Sequence, residues 1–463
     1  MSHDIIIIGS GPGGYVAAIR AARLGLKTAV VERAEVGGVC LNRGCIPTKS
    51  LLKSAQVLEH GRHAASYGVV AGDVAPDFSA IIARSREVAD KMSRGVQYLL
   101  KKNDVTLIEG HGRLTAGKQV EVTTPAGEKL LLDAKHVILA TGARSRALPG
   151  LPQDGERIIG YREALRLERL PASMIVVGSG AIGSELAFFY QTMGTRVTLV
   201  EFMPNLLPLE EEEVSKVVAR SFKKAGIEVM TKSSVESAVR EGDMVKVSIK
   251  NRRGEIEVRE AEILLSAVGI APNVEDLGLE AAGVLVENGR VKVDAYYRTS
   301  VAGVYAIGDI IPGPALAHVA SAEGICCVEH IAGVGAGPVD YSAIPACTYT
   351  SPEVASFGLS EAKALEAGRA VNVGKFPLSA SGKASTAGET EGFVKLIFDA
   401  TDDTLLGAHL VGLNVTEMIS GLVLAKRLKA KARDIIHSVH PHPTISEAIM
   451  EAAAAAHDEA IHI

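Results

Sequence analysis

Two glycine-rich turns, alike in sequence and in setting, most constrain how this chain can fold. Asp4 to Ile8 is a short apolar strand. It runs into Gly9-Ser10-Gly11-Pro12-Gly13-Gly14, a helical stretch to Leu24, and a second strand, Thr28 to Val31, closed by Glu32. Met174 to Val177 repeats the strand, Gly178-Ser179-Gly180-Ala181-Ile182-Gly183 repeats the turn, and Val197 to Val200 leads into Glu201. In both copies the acid lies 18 positions after the third glycine. A lone turn of this kind is weak evidence. Two, each between strand and helix with the acid correctly spaced, define dinucleotide-binding units. The first glycine makes the tight turn, the second lets backbone approach a pyrophosphate, and the third lets helix pack on strand. Amide groups exposed at the helix start then hold the phosphates. Glu32 and Glu201 are placed to accept hydrogen bonds from ribose hydroxyls. The charge at Glu201 disfavours a 2′-phosphate, which points to NAD rather than NADP.

Directly after the first unit comes Gly37-Gly38-Val39-Cys40-Leu41-Asn42-Arg43-Gly44-Cys45-Ile46-Pro47-Thr48-Lys49, with two cysteines separated by four residues. Thiols beside one dinucleotide turn, with a second turn downstream, describe a redox circuit: thiols, a flavin between, a nicotinamide beyond. Five cysteines in 463 residues do not make a disulfide framework, and in a reducing compartment a disulfide is usually transient and catalytic. Cys326 and Cys327 lie in a helical apolar segment and read as small core residues, as does Cys347. No metal site is expected.

The totals exclude other classes. Net charge is -5, from 49 basic and 54 acidic residues, which favours neither nucleic acid nor an anionic membrane. No apolar run approaches the ~18 residues of a spanning helix. Ile5 to Ile8 is too short for a signal-peptide core and no cleavage site follows it, so a cytoplasmic location is expected. At ~150 residues per domain the length allows about three domains.

Further along, Val137 to Gly142 and Leu264 to Gly269 read as the closing strands of the two units, and Pro149 and Pro152 mark the crossing between them. Gly303 to Asp309 is a strand ending in Gly-Asp, apt to set a carboxylate against a polyol hydroxyl. The run Glu210 to Glu213 reads as a solvated helix face. From Ala346 alternating segments such as Phe393 to Phe398 predict an antiparallel sheet. A helix from Val415 to Leu428 follows, then His440-Pro441-His442-Pro443-Thr444 and an Ala-rich final helix. The fold expected is α/β: two Rossmann-like dinucleotide-binding domains plus a C-terminal α+β dimerisation domain.

Taken together, these motifs resemble the dihydrolipoamide dehydrogenase family of flavin disulfide reductases. The resemblance runs from Asp4 to Glu451 and is carried most specifically by the cysteine segment, by Ala306-Ile307-Gly308-Asp309, and by His442-Pro443-Thr444-Ile445-Ser446-Glu447. It implies an FAD-binding domain over 1–148, an NAD-binding domain over 149–276, a central domain over 277–346 and an interface domain over 347–463, assembled as a homodimer. It implies oxidation of protein-bound dihydrolipoamide, with FAD and NAD as cofactors and lipoyl domains of a 2-oxo acid dehydrogenase or glycine cleavage complex as partners. Cys40 would exchange with the dithiol and Cys45 would lie against the flavin. Lys49 would sit beside the flavin's reactive edge, paired with Glu185. His442 would be the base and Glu447 its orienting partner, the histidine entering the other subunit's site. Gly9, Gly11, Gly14, Glu32, Gly112, Thr141, Gly142, Asp309 and the segment Ala315, Leu316, Ala317, His318 would contact FAD. Gly178, Gly180, Gly183, Glu201, Val235 and Gly269 would contact NAD. An imidazole suits the base because its ordinary pKa, ~6.5, lies near neutrality. His440 reads as structural.

The cysteine spacing sets a geometric condition. Residues five apart in an ideal helix are separated by ~7.5 Å of rise alone, whereas disulfides need Cα atoms within ~7 Å. The helix should therefore start or break between the cysteines, with Gly44 and Pro47 as disruptors, and a cysteine near a helix start has its thiolate favoured. The chain departs from the family pattern at Val39, Ile270, Val319 and Pro441, none of which removes a reacting group. The alternative is a sister enzyme. Glutathione reductase would need basic residues after Glu201, where Phe202-Met203-Pro204-Asn205 stands, and mercuric reductase a vicinal cysteine pair near the C-terminus, which is absent.

Overall fold

The structure is a computed structural model that describes residues 2–117, 119–148, 150–335 and 337–463. Pro149, one of the two prolines read as a crossing, lies outside the described residues. Contacts divide the chain into two compact units.

The first unit comprises the residues up to Leu51, with Ser79–Arg146 and Ile270–Val339. Its centre is the strand Ser2–Ile8, whose last four residues are buried on both faces. Such a strand must be covered by helices on both sides, which is why its neighbours are parallel. It pairs parallel with Thr28–Glu32 and with Lys129–Leu139. Thr106–Glu109 and Val304–Ala306 extend the sheet, also parallel. The first half of Lys129–Leu139 instead pairs antiparallel with Val120–Thr123. The predicted helix after the first turn is Pro12–Arg23, with proline in its first turn, where the missing amide costs nothing. Cys326 and Cys327 lie buried in the helix Ala317–Ile331, as expected of core residues.

The second unit comprises Leu52–Phe78, Ala147–Gly269 and Asp340–Ile463. It contains an all-parallel sheet in the order Glu228–Met230, Arg196–Val200, Ser173–Val177, Ile263–Ser266, Ile158–Ile159. A three-stranded antiparallel sheet spans Ser234–Ala261. The expected antiparallel sheet after Ala346 has five strands, with Leu405–Gly412 at its middle and Phe393–Asp399 beside it. Val415–Arg427 and Glu447–Ala455 are the two helices predicted to follow.

One expectation fails here. The run Glu210–Glu213 is a solvated helix face only at Glu212, which is exposed at the start of the helix Glu212–Lys224. Glu211 is 8 % exposed, and burial pushes the Glu210 carboxyl up from its ordinary range. Glu211 shares Lys395 with two other acids: the lysine's ammonium lies 2.8 Å from Glu211, 2.9 Å from Glu213 and 2.7 Å from Glu361. Lys395 occupies the strand read as alternating, but that strand is buried on both faces and the lysine is 3 % exposed. Burial opposes its charge, and the three carboxylates outweigh burial and hold it well above the ordinary lysine range. A raised lysine contributes stability that is complete below its unfolded pKa and lost only as pH rises through the folded value. Lys395→Met should therefore cost about 3 kcal/mol at neutral pH, because it strands the buried Glu211 carboxylate, Glu213 and Glu361 being reachable by water. Lys375→Met, a more exposed partner of Glu213, should cost less than about 1 kcal/mol. Denaturant melts of the two variants check the difference.

Candidate active site

The two glycine turns are built alike. Gly9 and Gly178 adopt left-handed backbone, at φ 107° and 96°, and their positions leave no room for a Cβ against the carbonyls of Ala140 and Ala267. A Cβ at Gly14 or Gly183 would stand 1.9 Å from the carbonyl oxygen of Gly9 or Gly178. At the middle glycines, Gly11 and Gly180, a Cβ would meet nothing within 4 Å. The glycine there is not demanded by the protein's own atoms, so the open space suits a ligand. Neither following helix has a side-chain cap on its first amides. A pyrophosphate fits that donor set.

This separates two effects. Gly14→Ala should disrupt the fold of the first unit. Gly11→Ala should leave the apoprotein's melting temperature within about 2 °C of wild type, yet weaken FAD binding at least about tenfold by occupying the pyrophosphate's space. Calorimetry and fluorescence titration with FAD measure the two quantities.

Glu32 and Glu201 are both buried, and each carboxylate holds its own turn. Glu32 accepts from the Ser10 amide and hydroxyl at 2.8 and 2.6 Å and from the Ala34 amide at 2.8 Å. Glu201 accepts from the Ser179 amide and hydroxyl at 2.8 and 2.7 Å and from the Met203 amide at 2.7 Å. Carboxylate oxygens have lone pairs to spare for ribose hydroxyls, so the acids serve the turn before any ligand arrives.

Around the first turn the remaining predicted residues fall at the carboxyl ends of the parallel strands, where ligands of open α/β sheets bind. Gly112 packs against Ile8 and Val31, whose side chains would stand 3.2 and 3.1 Å from a Cβ there. The Thr141 hydroxyl donates to the Asn273 carbonyl at 2.7 Å, and the Asn273 amide side chain returns a bond to Thr141 at 3.0 Å. Gly142 accepts from the Asn273 amide at 2.9 Å. Asp309 follows Gly308 in a short 3-10 turn, and burial pushes its carboxyl up despite the charge of Arg290. Such an acid suits a polyol hydroxyl. Leu316 is the N-cap of the helix Ala317–Ile331, Ala315 precedes it and His318 lies in the first turn; Ser321 of that helix donates to the Pro12 carbonyl at 3.3 Å, beside the first glycine turn. Around the second turn, Val235 is the second residue of the strand Ser234–Glu241, and the Ser233 amide just before that strand donates to the Glu201 carbonyl at 2.9 Å. Gly269 follows the strand Ile263–Ser266 with φ 112°.

The helix break predicted between the cysteines is present. Gly38–Arg43 is one short helix, Gly44 leaves helical geometry at φ -150°, ψ -112°, and a new helix runs from Cys45 to Arg62. Pro47 sits in its first turn, where proline is tolerated. Cys40 and Cys45 form a hydrogen-bonded dithiol. One detail differs from the expectation of a favoured thiolate. The Cys40 thiol is pushed up, first by its hydrogen bond with Cys45 and then by burial, while the charge of Lys49 pulls it the other way. Two thiols this close share one charge, so deprotonation is a property of the pair.

Several residues that hold this helix were not singled out from sequence. Asn42, 4 % exposed, donates its side-chain amide to the carbonyls of Val36 and Gly38, both at 3.0 Å. Arg86 donates to the Asn42 carbonyl at 2.7 Å and Ser93 to the Val36 carbonyl at 2.8 Å. Asn42 stood between the cysteines and could have been noticed; nothing local pointed to Arg86 or Ser93.

In the second unit, Glu185 is 3 % exposed and accepts from the Tyr349 amide at 2.9 Å. His442 and Glu447 meet, Nδ1 to Oε1 at 2.8 Å. The other carboxylate oxygen accepts the Thr444 amide at 2.9 Å. Burial opposes the charge of Glu447, but the Thr444 amide and His442 outweigh it and hold the carboxyl below its ordinary range. His440 instead bonds the Ser438 carbonyl at 2.9 Å. Of the departures from the family pattern, Val319 is fully buried and Ile270 pairs with Ser145 in a two-stranded ribbon.

Two turns, a buried acid on each and a dithiol docked beside the first define a flavin- and nicotinamide-dependent disulfide oxidoreductase. The comparisons agree. Residues 3–324 match the pyridine nucleotide-disulphide oxidoreductase family and residues 344–453 its dimerisation domain. The chain belongs to that family, whose cofactors are FAD and NAD. It is 47 % identical to a dihydrolipoyl dehydrogenase of Rhizobium etli, over 97 % of each chain. It is 48 % identical to one of Chlorobaculum tepidum, over 97 % of this chain and 96 % of that, and 44 % identical to one of Bacillus subtilis over 99 % of each. Among solved structures, LpdA of Mycobacterium tuberculosis superposes with a TM-score of 0.91 at 29 % identity, over 97 % of this chain and 98 % of that. RclA of Escherichia coli, at 24 % identity and TM-score 0.87, shares the fold over 98 % of this chain and 99 % of its own. The dimerisation domain supports a homodimer. No helix among the described residues is long and apolar enough to cross a membrane.

Proposed function

We propose that this protein oxidises dihydrolipoyl groups on a partner protein and reduces NAD+. The observation that carries it is the Cys40–Cys45 dithiol, held at a helix break beside the first nucleotide turn. The first glycine turn, Glu32 and Asp309 would hold FAD, which would supply two-electron chemistry between the cysteine pair and the nicotinamide. The chain's residues do the rest. His442 removes a proton from the substrate dithiol, with Glu447 holding the imidazole so that Nδ1 donates and Nε2 accepts. The substrate enters when the pair is in its oxidised form, a Cys40–Cys45 disulfide: the substrate thiolate attacks Cys40 Sγ, the S–S bond breaks, and Cys45 leaves as thiolate. The substrate's second thiol then displaces Cys40 and closes the lipoyl disulfide. Lys49, whose charge already acts on Cys40, favours negative charge at this place, and Glu185 keeps the role the family gives it.

The same reading assigns 1–148 to FAD, 149–276 to NAD, 277–346 to completion of the FAD site and 347–463 to the interface. In the homodimer, His442 of each subunit serves the cysteine pair of the other. The partners are lipoyl domains of a 2-oxo acid dehydrogenase or glycine cleavage complex, and the site of action is the cytoplasm. Anaerobic titration of the yellow protein with dihydrolipoamide, followed by NAD+, tests the assignment. A long-wavelength thiolate–flavin band and then NADH support it. Failure to respond to dihydrolipoamide, with reduction by NADPH, would assign a sister reductase instead.

A further inference from the structure

The two nucleotide turns are near copies, yet only the first is followed by a cysteine-bearing helix. Each has serine as its second residue, and both serines are wholly buried. In each copy the serine hydroxyl donates to the acid, at 2.6 Å for Ser10 and 2.7 Å for Ser179. With its proton committed, the hydroxyl oxygen can only accept further bonds. In the first copy it does so. The Gly37 amide donates to both oxygens of Ser10, the carbonyl at 3.1 Å and Oγ at 3.2 Å. Gly37 is the left-handed residue, at φ 96°, from which the helix Gly38–Arg43 starts. The next residue fits closely against the turn, since a Cβ on Gly38 would stand 2.7 Å from the Gly11 Cα. In the second copy the Ser179 carbonyl takes instead the Leu207 amide at 3.1 Å and the Ser184 hydroxyl at 2.9 Å.

We propose that Ser10 is a positioning residue for the redox pair: its hydroxyl, oriented by Glu32, sets where the helix bearing Cys40 begins and so places the dithiol against the first nucleotide. The chain from Gly37 N–H through Ser10 O–H to the Glu32 carboxylate is polarised by a full negative charge, and each link strengthens the other. One carboxylate therefore anchors both the nucleotide turn and the redox helix. This rests on Cys40 and Cys45 being the redox pair. The second copy supplies an internal control, with the same serine–glutamate bond and no redox helix.

The experiment compares full-length wild type, Ser10→Ala and Ser179→Ala. It reads FAD per chain, the long-wavelength band after anaerobic dihydrolipoamide, and the rate at which iodoacetamide alkylates Cys40 in the reduced protein, mapped by mass spectrometry. Ser10→Ala is expected to weaken the band and to change Cys40 alkylation about fivefold, the factor of one net buried hydrogen bond. Ser179→Ala is expected to match wild type in both. Equal band and equal alkylation in the two variants would overturn the proposal. If Ser10→Ala loses FAD, alkylation is compared in FAD-free preparations of all three, and the same criterion decides. If it does not fold, Ser10→Gly takes its place. Absence of the band in wild type would overturn the redox-pair assignment itself, and the alkylation comparison alone would then decide the role of Ser10.

Discussion

His442→Gln is expected to slow dihydrolipoamide oxidation about a thousandfold, the middle of the range for a lost general base. NADH-dependent reduction of a small quinone, which needs no thiol deprotonation, should stay within about twofold of wild type. The geometry behind this is the 2.8 Å bond from Nδ1 to Glu447, whose second oxygen is fixed by the Thr444 amide. Equal loss of both activities would remove His442 from the thiol half-reaction. Glu447 is not the source of a pH dependence near neutrality. Its carboxyl lies below the ordinary range, so its pairing is present above the unfolded pKa and is lost only as pH falls through the lower folded value. Across about pH 6 to 8 Glu447 stays charged, so a fall in rate toward acid is expected from loss of the thiolates that attack at each exchange. Glu447→Gln should lower the rate across the whole profile.

Replacing either cysteine with serine should lower dihydrolipoamide oxidation by about a thousandfold or more, since a hydroxyl cannot close the disulfide. The two variants should differ in colour. In Cys40→Ser the remaining sulfur is the one assigned to the flavin, and it no longer shares its charge with a second thiol. That variant should show the long-wavelength band without added dithiol. Cys45→Ser should never show it. The reverse pattern in visible spectra would exchange the roles of the two cysteines. FAD content should be unchanged in both, because neither side chain belongs to the glycine turns.

The parts of the site that could be read in advance are local in sequence. Gly9 and Gly14 are dictated by a turn that closes within six residues. The acid ends the strand that follows, at a distance fixed by the intervening helix. The break at Gly44 follows from the rise of a helix and the reach of a disulfide, which involve only Cys40 to Cys45. His442 and Glu447 are five positions apart and meet across one turn. The misreading is of a different kind. Glu210–Glu213 looked like a solvated face because charge in sequence is normally charge in water. Their burial depends on bonds spanning 182 and 34 residues, from Lys395 to Glu213 and to Glu361.

The sequence by itself determined the two glycine turns, the acids that hold them and the parallel sheets around them. Backbone sterics and helix geometry act over a few residues, so short motifs suffice to specify them. Only the tertiary structure decided which polar groups carry charge in the interior and what holds the dithiol in place. Arg86 and Ser93 reach the redox helix from the long helix Phe78–Lys102, and Ser10 reaches it across 27 residues. The Cys40 thiol is held up by a neighbour and by burial rather than lowered by its place in a helix. A buried charge or hydrogen bond is worth what its surroundings make it, and those surroundings exist only once distant segments have packed.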